Sequence, residues 1–142
     1  MDLINNKSVA TELEAWVGIL YSCMSVDMQI TKNEITVLSR ILVTKQKFAE
    51  IDVESLCKKA AEAKGDLGEL NYIRECSKLI AEDDKNMIFA LALEILLADG
   101  ILEQKEKDFI EIVSNSLEIA PKMSSKIIEV IFLKNKGNVK GI

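Results

Sequence analysis

The chain has 142 residues, of which 49% are apolar and only 5% aromatic, and its formal net charge is −5. It contains no histidine, which excludes Ser-His-Asp and Cys-His catalysis and every metal site built on imidazole. Positions 1–121 carry 22 acidic and 13 basic residues, whereas positions 122–142 carry five lysines and one glutamate. The body of the chain is therefore acidic, which argues against nucleic acid as a partner.

Apolar residues at helical spacing predict seven helical segments and an all-α fold. The segments cover approximately 8–26, 31–45, 53–63, 67–81, 85–98, 104–117 and 121–132. No strand pattern and no linker interrupts them. We therefore expect one domain spanning 1–142, with its core at about 8–133 and a frayed basic tail at 134–142.

Helix-end signals support several of these boundaries. Asp52 is expected as the N-cap of the third segment, and Gly65 is expected to end it. Asp83 or Asp84 is expected to cap the fifth segment, which is apolar almost all round, a pattern typical of a buried central helix. Pro121 suits the first position of the seventh segment.

The cysteines and the apolar runs indicate where the protein is found. Cys23, Cys57 and Cys76 lack C-x-x-C spacing and lie within apolar helical patterns, so we interpret them as reduced core residues. The N-terminus shows no signal-peptide pattern. The longest apolar run, 87–98, is too short to span a bilayer. These patterns predict a cytoplasmic protein without direct membrane insertion.

An acidic phrase occurs twice, 72 residues apart. The first copy is VDMQITKNE, with Asp27 and Glu34, and the second is ADGILEQKE, with Asp99 and Glu106. Each copy follows a strongly apolar segment and leads into an amphipathic one. Such repetition of a supersecondary unit predicts two halves related by a pseudo-twofold axis.

The repeated carboxylates point to a cation. If the two halves pack about such an axis, Asp27, Glu34, Asp99 and Glu106 converge, and their mutual repulsion requires a proton, a base or a bridging cation. Carboxylate ligands without histidine suit Ca²⁺, Mn²⁺ or Mg²⁺. We therefore predict a metal site formed by these four residues. The step of seven between aspartate and glutamate is not that of an EF-hand.

Helix capping offers a second interpretation of the same residues. Thr31 and Glu34 have the spacing of a capping box, in which each side chain accepts a hydrogen bond from a backbone amide of the other. In the second copy Glu103 replaces the threonine and is a poor N-cap, so we expect Glu106 to lack a reciprocal partner. Gly100 also relaxes the backbone after Asp99. The sequence leaves both interpretations open.

The second phrase, 98–106, resembles the A-D-G-x-[IL]-x-x-x-E signature of the TerB-like tellurite-resistance family, and 26–34 resembles its earlier occurrence. The resemblance covers roughly 13–132. It implies a compact bundle of about seven helices with pseudo-twofold symmetry. It also implies an acidic patch for divalent cations, which on this chain would include Asp27, Glu34, Asp99 and Glu106. The chain departs from the pattern at Met28 and Glu103.

The family resemblance also implies a role. The family is associated with resistance to tellurite and other stresses, often near the membrane or with partner proteins, and no enzymatic reaction is established for it. We therefore expect a non-enzymatic module that binds a divalent cation and acts through proteins of a stress-response system. The alternative is a purely protein-binding scaffold whose carboxylates are caps. A hydrolase using paired carboxylates is disfavoured, because the chain supplies no nucleophile motif, phosphate loop or histidine base.

Overall fold

Among the residues that the structure describes, the first helix, α1 (Glu12–Met24), packs against four other helices. The computed structural model describes residues 11–25, 36, 38–40, 42, 52–97 and 103–135. The other helices are α2 (Val53–Leu67), α3 (Glu69–Leu79), α4 (Lys85–Leu96), α5 (Gln104–Ser116) and α6 (Pro121–Lys134). A 3-10 turn (Glu82–Asp84) precedes α4, and residues 36, 38–40 and 42 are also helical.

This arrangement confirms the predicted all-α bundle. Helical residues occur in each of the seven predicted segments, and the described residues contain no strand. Helix α1 contacts α2, α3, α4 and α5, and α4 in turn contacts α5 and α6. The internal pseudo-twofold repeat stays a prediction.

Helix α1 forms the centre because nearly every side chain of its middle is apolar or small. Residues 15–20 are all buried, and Trp16, Ile19 and Leu20 are among the largest fully buried side chains. Each such side chain stabilises the fold by about 1.5–3 kcal/mol relative to an exposed one. Helix α4, predicted to be buried, is also well covered, since only Asn86 of its residues is exposed.

Three predicted helix ends are confirmed. The Asp52 side chain accepts a hydrogen bond from the Ser55 backbone N–H at 3.3 Å and caps α2. Asp84 holds the N-cap position of α4, and Pro121 is the first residue of α6. The predicted limits at 26, 31, 45 and 98 lie outside the described residues.

Two predicted helix ends are wrong. Helix α1 begins at Glu12 and not near position 8, because Thr11 has extended backbone angles and its hydroxyl accepts the Glu14 N–H at 3.1 Å. Gly65 does not end α2, which continues to Leu67. The break falls at Gly68, whose φ of 85° is a conformation that side chains rarely adopt.

Helices α1 and α3 pack closely at Gly18. A Cβ added there would overlap the Tyr72 hydroxyl and lie 2.8 Å from Cys76 Sγ. Tyr72 is only 1% exposed, and its hydroxyl donates a hydrogen bond to the Cys76 sulfur. The absence of a side chain at Gly18 is therefore what lets the Tyr72 ring lie against α1.

We expect Gly18→Ala to lower the free energy of unfolding by about 1–3 kcal/mol, because overpacking a tight core costs about that much. Urea denaturation measures the change. The control is Gly65→Ala on the exposed surface of α2, where an added Cβ meets nothing within 4 Å. That variant should gain about 0.4–1 kcal/mol. A Gly18→Ala protein as stable as the parent would contradict the close approach.

Candidate functional site

Of the four residues predicted to bind metal, the structure describes only Glu106. Asp27, Glu34 and Asp99 lie outside the described residues, as does the Thr31 capping position. Glu106 lies in the first turn of α5 and is half-buried. Convergence of the four carboxylates therefore stays a prediction.

The Glu106 carboxylate caps the helix that carries it. Its Oε1 accepts the backbone N–H of Glu103 at 2.8 Å, and Glu103 is the N-cap residue of α5 in a capping box. The expectation that Glu106 lacks a reciprocal partner is wrong. The reason is that the donor is a backbone N–H, which any residue other than proline supplies at the N-cap position, and a carboxylate in the first turn suits the helix dipole.

Capping does not by itself exclude metal binding. An ionised carboxylate offers about four lone-pair sites on its two oxygens, and the Glu103 N–H takes one of them. A coordinated carboxylate held by a hydrogen bond is a common arrangement, because the hydrogen bond fixes its orientation. Among the described residues no group of three or more cysteine, aspartate and glutamate side chains could hold a metal.

Packing fixes the helix ends that precede both acidic phrases. The C-cap residue of α4 is the fully buried Leu97, whose N–H donates to the Leu93 carbonyl at 2.9 Å. The C-cap residue of α1 is Ser25, whose hydroxyl accepts a hydrogen bond from Lys64 Nζ at 2.6 Å. No local sequence pattern indicates this contact, because Lys64 lies 39 residues away on α2.

The three cysteines are buried and make no disulfide, as the sequence predicts for reduced core residues. Burial disfavours the charged thiolate. It raises the pKa of Cys57 to about 11 and that of Cys76 to about 12, and it raises the pKa of Cys23 further. In Cys76 the hydrogen bond from Tyr72 opposes this rise. These thiols are thus poor nucleophiles near neutral pH.

Thiol labelling of the native protein at about pH 8 should be slow at all three cysteines, because the thiolate is the reacting form. In urea all three should react at the rate of an ordinary exposed thiol. Mass spectrometry of peptides from timed samples measures each site. Rapid modification of Cys57 in the folded protein would contradict this assignment.

No helix in the described ranges is both long enough and apolar enough to cross a membrane. Together the helices and the acidic motif define a small all-α helical-bundle domain. The family model for tellurite resistance protein TerB matches residues 13–128, a span that contains both acidic phrases. The chain therefore belongs to the TerB family, as the two phrases predicted. No curated protein and no solved structure matches the chain.

Proposed function

We propose that the chain is a non-enzymatic tellurite-resistance-type module that binds a divalent cation and acts through protein partners. The observation that carries the proposal is the acidic phrase, which occurs twice within the span matched by the TerB family model. Asp27, Glu34, Asp99 and Glu106 are the proposed ligands, and Ca²⁺, Mn²⁺ and Mg²⁺ are the candidate ions.

Two features support this cation site. The Glu106 side chain is already oriented by the Glu103 N–H, so binding would cost little conformational entropy at that ligand. The C-cap residues of the two helices that precede the phrases are held in place, Ser25 by the hydrogen bond from Lys64 and Leu97 by burial. Fixed ends limit the positions that Asp27 and Asp99 can reach, since each lies two residues farther along the chain.

We also propose that the partners belong to a stress-response system and that the protein works in the cytoplasm. All three cysteines are buried and none forms a disulfide, which suits a reducing compartment. Partners at the membrane surface are compatible with this proposal, since family members often act there.

A protein-binding scaffold without a metal is the second candidate. The hydrogen bond between Glu106 and the Glu103 N–H favours it, because capping alone accounts for a glutamate at this position. In this case Asp99 and Glu106 stabilise local structure or contact a basic partner. The two candidates differ in how stability responds to cations.

A specific cation at 100 times its dissociation constant should raise the stability of the chelated protein by about 2.7 kcal/mol. Thermal melts with Ca²⁺, Mn²⁺ or Mg²⁺ measure the gain. Asp99→Asn and Glu106→Gln should each abolish it. Glutamine at this position still caps a helix, so Glu106→Gln should keep the stability of the metal-free protein. Glu111→Gln, an exposed change on the same helix, is the matched control.

No gain with any of the three ions, in the parent and in Glu111→Gln alike, would reject the cation site. Glu106→Ala then completes the comparison, because alanine removes the cap as well as the charge. A loss of about 0.5–2 kcal/mol in Glu106→Ala only, in every buffer, would assign Glu106 to capping and favour the scaffold.

A further inference from the structure

A groove of about 800 Å³ lies between α3 and α5, on residues that the sequence analysis did not single out. Leu70, Arg74 and Lys78 line it at intervals of four along α3, and Ile112 and Ser116 line it from α5. Residues four apart share one face of a helix, so the α3 side chains form a continuous wall.

The groove carries an unmatched positive charge on an otherwise acidic protein. Three basic and two acidic residues line it, whereas the whole chain has a net charge of −5. Lys78 pairs with Glu75 at 3.0 Å. Arg74 is exposed, and no acidic residue in the described part of the chain lies within ion-pair distance of it. Its guanidinium is thus open to a carboxylate from outside.

A second basic side chain, Lys85, lies at one end of the groove, and Glu118 is a weakly bound acidic partner of it. The Lys85 side chain is only 13% exposed, and its Nζ lies 3.2 Å from Glu82 and 3.7 Å from Glu118. The Glu118 contact is too long for a hydrogen bond, and the Glu118 side chain is 80% exposed. A ligand carboxylate can therefore replace Glu118 beside Lys85 at small cost.

Aliphatic side chains line the groove beside these charged side chains. Leu70 is 43% exposed within the groove, and Leu67 and Ile112 are half-buried on its two sides. An occupant that matches the groove therefore combines carboxylates with aliphatic side chains. Nucleic acid fits poorly, because phosphate binding needs several clustered cations, and Arg74 is the one basic side chain of the groove without an acidic partner among the described residues.

We propose that this groove binds an acidic amphipathic segment of a partner protein. A glutamate or aspartate of the segment pairs with Arg74, whose planar fork binds a carboxylate through two parallel hydrogen bonds. Its aliphatic side chains cover Leu70 and Ile112. The inference rests on the protein-partner part of the proposed function and is independent of the cation site. It specifies the chemistry of the partner.

Fluorescence anisotropy with a labelled peptide tests the proposal. The probe is an amphipathic peptide of about four helical turns with leucines at helical spacing and glutamates between them. A matched peptide replaces every glutamate with glutamine. We expect the acidic peptide to bind more tightly and its affinity to fall with added salt. Arg74→Gln should weaken its binding about tenfold, as expected for loss of a charged hydrogen-bond pair.

Two further variants test the role of charge in the groove, one expected to tighten binding and one expected to leave it unchanged. Glu118→Gln removes the competing carboxylate and should tighten binding of the acidic peptide roughly two- to threefold. Lys126→Gln, an exposed lysine on α6 outside the groove, should leave binding unchanged. Circular-dichroism melts of each variant show that a change in binding is not a change in folding.

Equal binding of both peptides, or an Arg74→Gln effect no larger than that of Lys126→Gln, would overturn the proposal. Self-association of the protein that Arg74→Gln abolishes would also overturn it, because the occupant would then be a second copy. Titrations in chelator and in Ca²⁺ separate the two proposals. Peptide binding in chelator supports the groove even if no cation ever stabilises the protein.

Discussion

The contact between Gly18 on α1 and Tyr72 on α3 is the constraint on which the rest of the bundle depends. Helix α1 is the central element, and at Gly18 it packs closely against α3. Tyr72 and Cys76 occupy the space that a side chain at Gly18 would fill, and both are fully buried. Interiors are packed at crystal-like density, so an added atom here must displace α3 or the Tyr72 ring.

Both proposed binding regions follow from this packing. Helix α1 leads directly into the first acidic phrase, and its last turn is held by the hydrogen bond between Lys64 and Ser25. Helix α3 carries Leu70 and Arg74, which form one wall of the groove. A shift of α3 relative to α1 would therefore alter the groove. Glu106, the acidic residue of α5 in the proposed cation site, does not line the groove. The proposed cation site and the groove thus share no described residue.

Local sequence signals predicted the helices and several of their ends, because apolar spacing and capping chemistry act within a few residues. Asp52 and Pro121 fall where such signals place them.

The error at the end of α2 arose because two local signals compete. Glycine at 65 or at 68 can end α2, and the helix ends at Gly68, which has a φ of 85° and directly precedes α3. The repeated phrase identified Glu106, but the groove brings together residues 67–118, whose proximity no local pattern encodes.

A double-mutant cycle on Gly18→Ala and Tyr72→Phe tests the close approach most directly. Phenylalanine removes the hydroxyl that the alanine Cβ would overlap. The free energies of unfolding of the parent, both single variants and the double variant come from urea denaturation. We predict that the double variant is more stable than the sum of the single changes implies, by about 0.5–3 kcal/mol. Strict additivity would show that the two residues do not touch and would contradict this account of the fold.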